Sequence, residues 1–197
     1  MVEYTNPPQM IKKLIHITIC IVLLLSCRKD PVPVSYPGIG DTLPQFSIVL
    51  SDGKPTDTAE LSKGTTLLVF FHTGCPDCVA ELKALQPFYE MHGEDVRLIL
   101  ISRAEGPESI KKHWSENGYT MPYSPQKDRT VYDLFSKSGI PYAVLSKEGT
   151  ILRIWDDKDM FTEEKYKTTI KEYHDRKRNH RNRTITVKQC RPVLSTT

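Results

Sequence analysis

Cys75 and Cys78 are separated by two residues in the stretch Phe71-His72-Thr73-Gly74-Cys75-Pro76-Asp77-Cys78 of this 197-residue chain. Two sulfurs at that spacing can clamp a metal, carry a haem, close a structural disulfide, or cycle between dithiol and disulfide. Structural zinc asks for four ligands, usually two close pairs. There is no second cysteine pair here, and the histidines are scattered apart from His72 just upstream. Covalent haem attachment needs a histidine directly after the second cysteine, and that residue is Val79. A permanent disulfide across so short a loop removes little entropy from the unfolded chain and is a poor staple. Redox exchange is the use these residues favour, with a structural disulfide as its competitor. Thiol exchange needs no cofactor beyond the two sulfurs, and no metal site is expected.

The apolar pattern switches at this stretch from a continuous run before it to a helical spacing after it. That switch places Cys75 at or before the first turn of a helix. Unpaired backbone N–H groups and the positive end of the helix dipole there favour a thiolate. Pro76 suits the first helical position, having no N–H to leave unpaired. Cys75 is then the exposed nucleophile, and Cys78, one turn further in, resolves the mixed disulfide that Cys75 forms. Asp77 either opposes the thiolate with its charge or complements the helix N-terminus, and both uses remain open.

The elements that must hold the pair follow from pattern. Residues 46–50 form a short strand-like run, and Ser51-Asp52-Gly53-Lys54 is turn chemistry. Residues 65–71 are a continuous apolar run suited to a buried strand, and 96–102 read as a second buried strand. Val79, Leu82, Leu85 and Tyr89 recur at helical spacing, with Pro87 expected to kink that helix. Residues 107–117 read as a helix closed by Gly118. Residues 128–136 read as another short helix, and 142–145 and 150–155 as a hairpin. A last helix is expected after Phe161, with Thr162 as N-cap and Glu163 and Glu164 in its first turn. This order predicts an α/β sandwich with a mixed sheet. Trp114, Tyr119 and Trp155 are expected in packing, and His72 at a strand end, where it is solvated or tunes the cysteines.

A strand feeding Cys-x-x-Cys into a helix is the thioredoxin arrangement. The run from Phe46 to Cys78, Ile140-Pro141 before a strand, and the Lys147-Glu148-Gly149-Thr150 turn together resemble membrane-tethered thioredoxin-like proteins of the TlpA type. The likeness runs from about residue 41 to 172. It implies a thioredoxin-like fold, a central mixed β-sheet flanked by helices, with an N-terminal β-hairpin extension. It also implies a cis-proline loop at Ile140-Pro141 opposite the cysteines, where a substrate strand pairs with the Ile140 backbone. Glu105 matches where such reductases carry a proton-handling glutamate, a surface loop glutamate being the competing view. Relatives commonly have Trp before the first cysteine; Gly74 stands here and alters the substrate surface. The implied partners are disulfide-containing extracytoplasmic proteins and a membrane donor of thiol electrons. Peroxiredoxins share the fold, but they carry Thr three residues and Pro seven residues before the peroxidatic cysteine. His72 and Leu68 occupy those places for Cys75, and Cys75 and Phe71 for Cys78, so peroxide reduction is the weaker alternative. A non-catalytic thioredoxin-fold binding module is the alternative of a different class.

The ends of the chain add an address. Lys12 and Lys13 precede the uncharged stretch LIHITICIVLLL, which fits the core of a secretory signal and is short for a membrane span. Leu24-Leu25-Ser26-Cys27 resembles the lipobox of bacterial lipoproteins, in which the cysteine is lipidated, a plain signal anchor being the competing reading. Acyl chains on Cys27 would hold the protein to a membrane, facing the periplasm or cell exterior. The expected organisation is a signal over 1–26, a lipidated cysteine and Pro-rich tether over 27–40, a folded domain over 41–174, and a basic tail over 175–197, expected as disorder or a frayed helix end. Residues 171–197 carry eight Lys or Arg against two acids, while the net charge of the whole is only +3. That balance gives no reason to expect a nucleic-acid partner.

Overall fold

A computed structural model describes residues 35–189. The segment containing Cys20 and Cys27, and the C-terminal segment with Cys190, lie outside the described residues. Among the described residues no helix is long and apolar enough to cross a membrane.

Strands β1 (Ser47–Val49) and β2 (Pro55–Asp57) form an antiparallel hairpin around the Ser51–Lys54 turn, where Gly53 takes φ 84°. The hairpin turns Ile48 inward and leaves Ser47 and Val49 outside, the alternation a one-sided strand requires. Helix α1 (Thr58–Leu61) follows at once, capped by the Asp57 side chain, which accepts the Glu60 N–H at 2.8 Å.

The main sheet has the order β5-β4-β3-β6-β7. Its centre is β3 (Thr65–Phe71), buried at every residue because it has neighbours on both edges and covering layers on both faces. Strand β4 (Val96–Ser102) runs parallel to it in register Phe71 to Ser102, and β6 (Tyr142–Lys147) runs antiparallel. The outer strands are β5 (Tyr123–Ser124) and β7 (Thr150–Trp155). The β6–β7 turn carries Glu148 and Gly149 at positive φ, and residues 40–43 extend the sheet by pairing with Gly149 and Ile151.

Helix α2 (Pro76–His92) lays Cys78, Glu81, Leu82, Leu85 and Phe88 against the sheet and continues across Pro87 as one element. Helix α3 (Pro107–Asn117) ends where Gly118 turns left-handed at φ 68°, as its sequence predicts. Helix α4 begins at Glu163, with the Thr162 hydroxyl accepting the Lys165 N–H.

Two expectations change. The helix expected over 128–136 is one 3-10 turn, Tyr132–Leu134. The Asp128 carboxylate takes the Thr130 amide, and the Tyr132 hydroxyl bonds to the Ser138 and Gly139 carbonyls; both compete with a helical ladder. At the other end, α4 (Glu163–Gln189) continues past residue 174 as regular helix, where disorder or a frayed helix end was expected to begin. Side-chain pairs along the helix support it: Arg176 with Glu172, Arg178 with Asp175, and Lys177 over the Tyr173 ring.

Candidate active site

The central strand β3 delivers the cysteines. After Phe71 the chain turns, with the His72 carbonyl accepting the Cys75 N–H at 3.0 Å. Gly74 donates its N–H to His72 Nδ1 at 2.9 Å, so that ring nitrogen acts as an acceptor. A Cβ on Gly74 would stand 3.2 Å from the same nitrogen, so a larger residue there would require the imidazole to shift by a few tenths of an ångström.

Cys75 is the N-cap of α2, with extended backbone at φ −96° and ψ 116°. Its carbonyl accepts the first helical bond, from Val79 N–H, and its Sγ accepts the Cys78 N–H at 3.4 Å. The cap is therefore a sulfur, held where orphan amides of the first turn converge. Pro76 occupies the first helical position, and Asp77 lies exposed in the first turn. The Cys75 thiol donates to the Ile140 carbonyl at 3.6 Å, and the Ile140-Pro141 peptide is cis. The structure thus brings Gly74, Cys75, Pro76, Asp77, Cys78, Ile140 and Pro141 to one place.

The two thiols differ in surroundings. Cys75 is half-buried, Cys78 is 1% exposed, and both are unbonded to other sulfurs. Burial pushes the Cys78 thiol well above its ordinary range, and its hydrogen bond with Cys75 pushes the same way; a backbone bond from His72 opposes them. Cys78 therefore needs a proton acceptor before it can act as a nucleophile.

Glu105, expected to handle that proton, makes its hydrogen bonds elsewhere. It is buried, and its carboxylate takes the backbone N–H of Thr73 at 2.8 Å and the Thr73 hydroxyl. The Ser102 hydroxyl donates to the Glu105 carbonyl and receives the Gln126 N–H. Glu105 holds the turn that presents Cys75, and its bonds go to Thr73 rather than to either sulfur.

The carboxylate beneath the pair is Glu81, which sequence reasoning missed. It lies one turn beyond Cys78, is 3% exposed, and pushes the Cys78 thiol further up. Its Oε1 accepts the Phe161 N–H at 3.2 Å, while its Oε2 is buried with no hydrogen-bond partner. Burial raises the Glu81 carboxyl to about 7, against the opposing pull of the Phe161 amide and the Lys165 charge. The signal was present: Cys78, Glu81, Leu82 and Leu85 follow the i, i+3, i+4, i+7 spacing of one face. A glutamate inside an apolar stripe is costly unless it is used.

Among the described residues, no group of three His, Cys, Asp or Glu side chains is placed to hold a metal. A dithiol at a helix start, with a buried carboxyl titrating near neutrality one turn below, is equipped for proton-coupled thiol exchange.

The Redoxin family model matches residues 39–164. No match is found among curated proteins. Solved structures share the fold. One is a candidate protein disulfide isomerase from Bacteroides thetaiotaomicron, with TM-score 0.61 and 24% identity, over 70% of this chain and 89% of that one. A second is the thioredoxin domain of a thiol-disulfide oxidoreductase from Bacteroides vulgatus, with TM-score 0.57 and 20% identity, over 70% and 98%. A third is an exposed lipoprotein thioredoxin from Streptococcus pneumoniae, with TM-score 0.54 and 18% identity, over 66% and 99%. With the matched region spanning the hairpin, the whole central sheet and the cysteine-bearing helix, the chain belongs to the Redoxin family and is an oxidoreductase built on a thioredoxin-like fold.

Proposed function

We propose that the Cys75-Pro76-Asp77-Cys78 pair reduces disulfides of extracytoplasmic proteins through a mixed-disulfide intermediate. The observation that carries this reading is the pairing of a half-buried cap sulfur with a buried thiol that has a near-neutral carboxyl beside it.

The Cys75 thiolate attacks one sulfur of a substrate disulfide, forming a Cys75–substrate bond and expelling the other substrate sulfur as a thiolate. The Cys78 thiol then gives its proton toward the Glu81 carboxylate and attacks Cys75 Sγ. The Cys75–Cys78 disulfide forms, and the second substrate thiolate leaves. Two electrons pass from the dithiol to the substrate, and a donor of thiol electrons at the membrane restores the pair. An extended substrate segment lying over Gly74 and Ile140 meets the sulfur where the Ile140 carbonyl now accepts its S–H bond. Glu105, through Thr73, acts as a positioning residue for this surface.

The setting is that of a TlpA-type lipoprotein, anchored through Cys27 on the periplasmic or outer face of a bacterial membrane. The lipobox-like Leu24-Leu25-Ser26-Cys27 and the Pro-rich stretch after it support this. The test pairs the Cys75–Cys78 reduction potential with insulin-disulfide reduction, for the wild type and Cys75→Ser. Turnover that vanishes in Cys75→Ser is expected. A potential far below that of cellular thiols, with no turnover in the wild type, would instead make the chain a binding module with a structural disulfide.

A further inference from the structure

We propose that the connection from β7 to α4, residues 156–162, together with Lys165, is the positioning element for Glu81 and sets the pH range in which Cys78 becomes a nucleophile. This rests on the redox role of Cys75 and Cys78 proposed above.

The two oxygens of Glu81 are not equivalent. Oε1 is tied to the Phe161 amide at 3.2 Å, and Oε2 has no partner. With one oxygen anchored, the carboxylate cannot rotate freely, and Oε2 is left as the atom that takes a proton. The anchoring amide is itself fixed by packing. Phe161 is 5% exposed, and its ring stands edge-on to Phe88 at 5.1 Å and to Trp155 at 5.2 Å. Phe88 lies on the same face of α2 as Glu81, so the helix carrying the carboxylate also seats the residue that anchors it. The Trp155 Nε1 is a further buried donor without a partner.

Lys165 secures the backbone just before that amide. Its Nζ donates to the Met160 carbonyl at 2.6 Å and pairs with Asp159, which also meets Arg153 at 3.7 Å. The Asp156 carboxylate closes the turn by accepting the Lys158 and Asp159 amides at 3.0 and 3.1 Å. The charged and titratable groups bearing on Glu81 are therefore Cys78 from its own helix and Lys165 from α4, with Asp159 and Arg153 behind Lys165. The ammonium does two things at once: it holds the segment that delivers the amide, and it favours the ionised carboxylate.

Removing the charge while keeping the stem, in Lys165→Met, takes away both effects and must raise the pH at which Glu81 ionises. Lys165→Arg keeps the charge. The experiment follows the Glu81 carboxyl by ¹³C NMR across pH in the reduced full-length protein, in these variants and the wild type. It also measures the pH profile of mixed-disulfide resolution in each. The Lys165→Met midpoint is expected to rise by about half a pH unit or more, with the resolution profile moving equally. Lys165→Arg should stay close to the wild type. An unmoved Glu81 midpoint in a natively folded Lys165→Met protein overturns the proposal. A moved midpoint with an unmoved resolution profile also overturns it, because Glu81 would then not control Cys78. Loss of the redox reading itself would appear differently, as a wild type that resolves no mixed disulfide while Glu81 still titrates.

Discussion

Glu81 links two pH dependences in one residue. Its folded-state carboxyl titrates near 7 against an ordinary 4.5, so between those values the native chain keeps a proton that the unfolded chain has released. That contribution to stability is fully present below pH 4.5 and is lost as pH rises through 7. Its size is at most about 3.5 kcal/mol, at roughly 1.4 kcal/mol for each pH unit that separates the folded and unfolded midpoints. Urea unfolding of the wild type and Glu81→Gln at pH 5 and pH 8 should show the wild type losing stability relative to the variant as pH rises. Equal pH dependence in the two proteins would remove Glu81 as the source. The same substitution removes the proton acceptor for Cys78, and resolution of a mixed disulfide at neutral pH should slow by about a hundredfold. Stopped-flow measurement of that step checks it, and an unchanged rate would take Glu81 out of the chemistry. The two cysteines and the cis-proline pair were legible in the sequence because their types and spacing are rare. Glu81 was legible only as a glutamate inside the apolar face of its helix; the Phe161 amide that anchors its carboxylate is 80 positions away in the chain and leaves no local signal.

Glu105 acts between elements. It ties the loop after β4 to the turn after β3, through the Thr73 amide and hydroxyl. Glu105→Gln replaces a charged acceptor by an amide and should destabilise the fold by about 1–2 kcal/mol. Its turnover should fall while the pH midpoint of resolution stays put, which separates it from Glu81→Gln. A shifted midpoint in Glu105→Gln would return it to proton handling, the role that its place in the sequence suggests. The principal strands could be read almost to the residue, because central strands of a covered sheet are unbroken apolar runs. Helix α3 was equally legible from Pro107 and Gly118. The two-residue β5 and four-residue α1 lack the length for any period to show. The 3-10 turn at Tyr132 has an apolar pattern compatible with a helix, and distant carbonyls at Ser138 and Gly139 decide otherwise.

For the whole molecule, the proposed lipid anchor makes location a property of one sulfur. Cys27→Ser should release the protein from membranes, and a variant that still fractionates with membranes would remove lipidation from the account. The folded domain begins by pairing residues 40–43 with Gly149 and Ile151, at the end of the sheet away from the cysteine end of β3. Charge pattern alone left the basic C-terminal stretch between disorder and a frayed helix end; ion pairs at helical spacing are what it left unread. The most direct test of the central claim is mass spectrometry of Cys78→Ser exposed to a disulfide-bonded protein substrate. A mixed disulfide should accumulate on Cys75 and be absent in Cys75→Ser. No adduct on Cys75, or an equal adduct on Cys78 when Cys75 is replaced, would contradict the assignment of attacking and resolving sulfurs.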